Sequence, residues 1–330
     1  MAKPRSFARM IVLGACLAAF FGPGAARSAE SPGWPQKPVK IVVPYAAGGN
    51  TGGIAHIIAE RLSEAFGRQF VVEHRPGASG ALAAEAVARS PADGYTLLLA
   101  SPAPIAIVPA MTKTSYDPVN DFAPVSIIGT NPFVLIVHPS VPVATLAEFI
   151  DYGRRQPGAL TYVSSGAGSV GHLSMVLFLK RAGLEMIPVS YKGGAGPLLD
   201  VIAGHVKAYL ANLSVVLPHA ESDALRLLAV SSEQRAPQLP NLPTFAEAGF
   251  PGFRAFTWNG LMAPAGTPRP IIDRIANEVA RAVREPRVAE RLGSDGVAPL
   301  GNSPEEFAAI IAADIPFWAE AVRVAGLQEK

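Results

Sequence analysis

The 330 residues carry 28 Lys and Arg against 26 Asp and Glu, with 49% hydrophobic and only 16% charged residues. That balance excludes a disordered chain and a strongly basic nucleic-acid binder. Thirty-one glycines and 31 prolines without a tract of either describe a globular chain punctuated by turns, long enough for two α/β lobes.

The opening stretch, MAKPRSFARMIVLGACLAAFFGPGAARSAE, has a basic start, an apolar run and a small-residue exit. It reads as a secretory signal peptide over residues 1–28, cut after Ser28, which directs the mature chain to the periplasm. The rival reading makes LGAC a lipobox with Cys16 lipidated, but the apolar run continues past that cysteine. Neither this run nor any later one reaches the ~18 apolar residues of a membrane span. Lys3, Arg5, Arg9 and Arg27 all fall within the first 28 residues, which hold no acid, so the remaining chain carries a formal charge of −2. Cys16 is the only cysteine, which leaves an exported chain nothing to pair. The six histidines lack metal-ligand spacing, so neither a metal nor a cofactor is expected.

VKIVVPY (39–45) is a β-branched strand, AAGGNTGG a glycine loop, and IAHIIAERLSEAF an amphipathic helix with Ile54, Ile57, Ile58 and Leu62 on one face. QFVVEH, RPGASG and ALAAEAVARS repeat strand, loop and helix before the strand TLLLAS. The same layout returns as LTYVSS, loop, HLSMVLFLKRAG, MIPVSY, KGGAG, PLLDVIAGH and VKAYLAN. Such repetition predicts parallel strands with helical crossovers in each half. Two further strand-like runs, APVSIIGTNPFVLIVHPS, broken at Gly129, Asn131 and Pro132, and FTWNGLMAPAG, are placed to carry the chain between halves. The expected fold class is therefore α/β and two-lobed. Each lobe is a mostly parallel sheet flanked by helices, with a two-strand hinge between them. Lobe 1 is discontinuous (35–130 plus 252–330) and lobe 2 spans 131–251. The C-terminal helices are expected to pack on lobe 1.

TYVSSGAGSVGHLS (161–174) admits three chemistries. Gly166, Gly168 and Gly171 spell a dinucleotide fingerprint, but MIPVSYKGG ends without the acid that would hold a ribose. Ala167, Ser169 and Gly171 give a variant nucleophile elbow. This keeps a secreted serine hydrolase using Ser169 as the alternative, although no acid or histidine is placed convincingly for a triad. An anion cradle needs only helix-start N–H groups, hydroxyls and glycines. The first half offers a counterpart, PYAAGGNTGG, and neither loop has an acid. Two helix starts, each with roughly half a positive charge, would favour a carboxylate. Lys192 would add a partner for a second carboxylate, whereas an α-ammonium would lack an acidic one.

WPQKPVKIVVPYAAGGNTGGIAHIIAERL, VVEHRPGASGALAAEAVARSPADGYTLLLAS, YDPVNDFAPVSIIG, LTYVSSGAGSVGHLS, YKGGAGPLLDVIAGHV, LPNLPTFAEAGFPGF and LMAPAGTPRPII, in that order, closely resemble the Bug-type solute receptors of tripartite tricarboxylate transporters. The resemblance implies a periplasmic receptor with the type II binding-protein architecture. It would be a non-enzymatic monomer that passes a small mono- or dicarboxylate, not an amino acid, to membrane permease subunits. It further implies ligand contacts at Tyr45, Ala46, Ala47, Gly48, Gly49, Ser164, Ser165, Gly166, Ser169 and His172, with Ser101 and Asn212 at neighbouring strand ends. Two departures, Gly52 and Ala211 where relatives commonly have Asp, would remove negative charge near the site.

Overall fold

The computed structural model describes residues 33–47, 50–164, 166–191, 196–253 and 255–329. The expected signal segment 1–28 therefore lies outside the described residues, as do Gly48, Gly49, Ser165 and Lys192.

Three strands, β1 (Val39–Val43), β2 (Phe70–His74) and β3 (Thr96–Ala100), lie parallel in the order β2-β1-β3. Helices α1 (Asn50–Phe66) and α2 (Ala81–Ala88) make the crossovers. β1 and β3 are largely apolar on both faces because both faces are covered, whereas the edge strand β2 buries little beyond Phe70. Val39, Ile41 and Val43 point into one core and Val42 into another, and Leu97 and Leu99 alternate with Leu98 and Ala100 in the same way. Ile54, Ile57, Ile58 and Leu62 seal α1 onto the first of these cores, each contributing about 1.5–3 kcal/mol by burial.

After β3 the chain makes a π-helical turn, Ala103–Ile107, that runs into α3 (Val108–Met111). It then enters β4 (Phe122–Val137). The expected break at Gly129, Asn131 and Pro132 is absent. β4 is one 16-residue strand that takes up its irregularity as two register shifts against β9 (Phe256–Pro264). Pro132 is tolerated at the switch of partners: residues 122–132 pair with β9, and from Phe133 onward β4 pairs with β7 and β8.

The second half repeats the plan. Strands β5 (Thr161–Ser164), β6 (Ile187–Ser190) and β7 (Ala208–Asn212) lie parallel in the order β6-β5-β7. Helices α4 (Leu146–Arg154), α5 (Val170–Ala182), α6 (Gly196–Ile202) and α7 (Leu213–Val216) cover them. β8 (Arg226–Val230), which the sequence reading passed over, pairs antiparallel with β4. In the first half β9 and the short β10 (Ala298–Pro299) are also antiparallel to β4. The sheet is thus mixed, with a parallel trio in each half joined through antiparallel β4 and β9.

The C-terminal helices divide. α8 (Arg269–Ala282) and α9 (Pro286–Ser294) bury Ile271, Ile272, Ile275, Val288 and Leu292 in the first-half core beside α1, as expected. α10 (Pro304–Val324) does not keep to one side. Phe307 and Ile311 enter a first-half core with Trp258, whereas Trp318, Ala321 and Val322 enter the second-half core with Phe149 and Phe178. Pro316 lies between the two stretches. Its 21 residues, about 30 Å of helix, are long enough to reach both.

Candidate functional site

Loops at the carboxyl ends of the parallel strands converge on one cleft of about 800 Å³, the place where open α/β sheets take their ligands. β1 is followed by Pro44, Tyr45 and Ala46, β2 by Pro76, Gly77, Ser79 and Gly80, and β3 by Ser101 and Ala103. From the other half, β5 is followed by residues 166–171, β6 by Tyr191, and β7 by Asn212, Ser214 and Val215. The crossing strands contribute Phe133 and Thr257. None of the described lining residues carries a charged side chain.

In the first half, the Tyr45 hydroxyl and Ser101 Oγ are 2.7 Å apart. Burial pushes the Tyr45 phenol above its ordinary range, and the bond to Ser101 pulls against that shift. The Tyr45 carbonyl is held by His74 Nδ1 at 2.8 Å. A carbonyl only accepts, so His74 carries its proton on Nδ1. α1 begins at Asn50, earlier than expected, so the second glycine pair of AAGGNTGG belongs to the helix. Gly52 is buried there, and a Cβ at this position would stand 3.2 Å from His74 Cε1. Asn50 and Thr51, at the helix start, form cleft wall, and Asn50 Oδ1 is buried without a hydrogen-bond partner. Beside them the rim loop holds Ala78 and Ser79 at φ 47° and 51°. These are left-handed values that cost a non-glycine residue about 1–2 kcal/mol each and mark a locally over-determined segment.

In the second half, Ser169 caps α5 by accepting the His172 N–H on Oγ at 3.2 Å, and the Leu173 N–H donates to the Ser169 carbonyl at 2.9 Å. Val170 and Gly171 thus remain as the first-turn N–H groups that the cap does not satisfy, and both line the cleft. The turn before the cap is closed by the Ser169 N–H on the Gly166 carbonyl at 3.1 Å, with Gly168 at φ 74°. Asn212 Oδ1 accepts from Ser214 N and Ser214 Oγ at 3.2 and 2.8 Å. Tyr191 donates its hydroxyl to Asp200 Oδ2 at 2.5 Å, and burial together with that carboxylate pushes its pKa up to about 12.

Of the expected contact residues, Tyr45, Ala46, Ser101, Gly166, Ser169 and Asn212 meet at the cleft. Ala47 is exposed beside it, and Ser164, 2% exposed, is spent in the sheet, where its carbonyl accepts the Tyr191 N–H at 2.9 Å. His172 is not part of the wall. Its Nδ1 accepts the Gly168 N–H at 3.3 Å, and burial lowers its pKa below 6.5. The two departures from the relatives' pattern also read differently in three dimensions. Ala211 is fully buried beside Val134 and Val163, and Gly52 faces His74, so neither side chain stands on the cleft surface. The sequence reading missed Pro76, Gly77, Ser79 and Gly80, and also Tyr209, Ser214, Val215 and Thr257. RPGASG is itself a loop after a parallel strand, and that position was the available clue. Among the described residues there is no cluster of three or more His, Cys, Asp or Glu able to hold a metal, and no helix long and apolar enough to cross a membrane.

Two helix-crossed parallel trios whose strand-end loops face one cleft define the α/β periplasmic binding-protein class. The chain belongs to the tripartite tricarboxylate transporter family of receptors, whose sequence model matches residues 54–327. Protein BugT of Bordetella pertussis is 35% identical over 309 residues, 93% of this chain and 95% of that protein. Among solved structures, Rpa4515 of R. palustris with adipate is 40% identical with a TM-score of 0.80, covering 89% of this chain and 98% of that one. MatC from Rhodopseudomonas palustris with bound malate is 30% identical with a TM-score of 0.75, covering 88% and 100%. Members of this family are periplasmic solute receptors.

Proposed function

We propose that this chain is exported by cleavage of a signal peptide at residues 1–28 and acts as a monomeric receptor. In this reading it traps a small organic carboxylate between lobe 1 (35–130 plus 252–330) and lobe 2 (131–251) and delivers it to the permease subunits of a tripartite tricarboxylate-type transporter. One observation carries the reading: the starts of two long helices, α1 and α5, line the same cleft from opposite halves, and no described lining residue is charged. Such helix ends attract anions, and the Ser169 hydroxyl adds a donor of the right kind for a carboxylate, as does whichever of Tyr45 and Ser101 accepts in their mutual bond and so keeps its proton free. β4 and β9 serve as the hinge, and closure about it buries the ligand.

The ligand is assigned as a mono- or dicarboxylate without an α-amino group. A buried ammonium would meet no acid among the described lining residues and would cost several kcal/mol. The adipate and malate held by the two relatives are acids of this kind. The hydrolase alternative needs a base on Ser169. His172 instead gives its backbone N–H to Ser169 Oγ and accepts the Gly168 amide on Nδ1, so its position supports a cap and not a catalytic pair. The test is native mass spectrometry of protein purified without refolding, followed by calorimetry with C4–C6 dicarboxylates, their monocarboxylate counterparts, glutamate and aspartate. A trapped des-amino acid is the expected result. Tight binding of glutamate or aspartate with none of their des-amino analogues would overturn the ligand assignment, and turnover abolished by Ser169→Ala would overturn the receptor reading.

A further inference from the structure

We infer that His172 is a positioning residue: its neutral ring, protonated on Nε2, grips the Gly168 amide and thereby aims the carboxylate-binding amides that follow. The functional half of this inference rests on the carboxylate-receptor reading; the hydrogen-bond half does not.

A backbone N–H can only donate, so the 3.3 Å contact between Gly168 N and His172 Nδ1 requires an unprotonated Nδ1. A neutral ring then carries its proton on Nε2, the opposite tautomer to that of His74. Burial lowers the His172 pKa and so acts with the hydrogen bond to keep the ring neutral.

His172 holds the loop twice: its own N–H bonds to Ser169 Oγ, and its Nδ1 holds Gly168. Gly168 cannot be held by packing of its own side chain, and its φ of 74° is a conformation that a free glycine leaves readily. The far side of the turn is closed on Gly166 through Ser169 N. With both sides tied, Ser169, Val170 and Gly171 face the cleft at fixed positions. His172 is absent from the cleft wall and therefore acts through this loop, not on the ligand.

The test uses the full mature chain labelled with ¹⁵N. Above pH 7, long-range ¹⁵N–¹H correlation should give His172 a pyridine-type Nδ1 and a pyrrole-type Nε2, and the Gly168 amide should be protected from exchange. His172→Asn keeps an acceptor, Oδ1, where Nδ1 stands, whereas His172→Leu removes it. With adipate and malate as probes, the Asn variant should bind within about threefold of wild type, and the Leu variant should lose about tenfold, the effect of one hydrogen bond. Gly168 exchange should quicken in the Leu variant alone. A pyrrole-type Nδ1 in the wild type, or an Asn variant no better than Leu, overturns the inference. If Leu fails to fold, the wild-type tautomer and the Asn affinity decide. If the wild type binds neither acid, the receptor's ligand assignment falls, while the Nδ1 signal and Gly168 exchange still decide whether His172 holds the loop.

Discussion

Replacing Gly168 by alanine tests how firmly the second-half loop is built. Two separate costs can be read from the structure. First, Gly168 sits at φ 74°, where an L-residue pays about 1–2 kcal/mol. Second, a Cβ there would stand 2.3 Å from Met111 Sδ and 3.0 Å from its Cε. Met111 is partly buried and flexible, so it can swing away, at about 0.5–1.5 kcal/mol if it leaves its rotamer well. Together the substitution should destabilise by about 1.5–3.5 kcal/mol, and at roughly 2–4 °C per kcal/mol the midpoint should fall by roughly 3–14 °C. Differential scanning fluorimetry of a double-mutant cycle with Met111→Ala separates the terms. The truncated methionine should relieve the steric part, a coupling of about 0.5–1.5 kcal/mol, and leave the backbone part untouched. An unchanged midpoint for Gly168→Ala, or complete rescue by Met111→Ala, would mean that the loop does not hold the left-handed turn.

Two further outcomes are expected. Gly260→Ala places a Cβ 2.6 Å from the buried ring of Phe307, itself packed edge-on against Trp258 at a centroid distance of 5.1 Å. Urea unfolding should show a loss of about 1–3 kcal/mol from overpacking, partly recovered by Phe307→Leu, and a neutral result would argue against this seating of α10. Stability should also fall in mild acid. His172, through burial, and His138, through burial and Lys207, have folded pKa values below 6.5, so the unfolded chain binds more protons below that pH. Their contribution is fully present above about pH 6.5 and is lost as pH falls through the folded values. The lowered Glu73 and Glu247 carboxylates act in the same direction only nearer pH 4.5 and below. Melting curves from pH 7.5 to 5 should show a decline that His172→Asn makes shallower, and a midpoint that rises on acidification would contradict the sign.

The parallel trios were legible because short, largely apolar runs alternate with stretches whose apolar residues recur at helical spacing. The glycine loops could be placed because each follows such a strand. Three features were not legible. The start of α1 at Asn50 was hidden because Gly52 and Gly53 look like a loop, although a Cβ at Gly52 would stand 3.2 Å from His74 Cε1. Ala211 seemed to belong to the site because it precedes Asn212, yet one residue back from the strand end it is fully buried. The rim loop 76–80 looks like any proline-glycine turn, since a left-handed alanine and serine leave no mark in the sequence. His172, expected from its place in the motif to touch the ligand, is absent from the cleft wall and instead holds the Gly168 amide.

The double allegiance of α10 bears on the order in which the chain folds. Phe307 and Ile311 finish one core and Trp318, Ala321 and Val322 finish another, so neither core is complete until residues 304–324 have been delivered. A nascent chain lacking this helix would expose apolar faces in both halves at once, and the contacts that close them span most of the sequence. Late, long-range closure of this kind makes folding slow. A chain that cannot bury its cores early stays available to holding chaperones and to threading in an extended state, properties that a rapidly collapsing domain of the same size would lack.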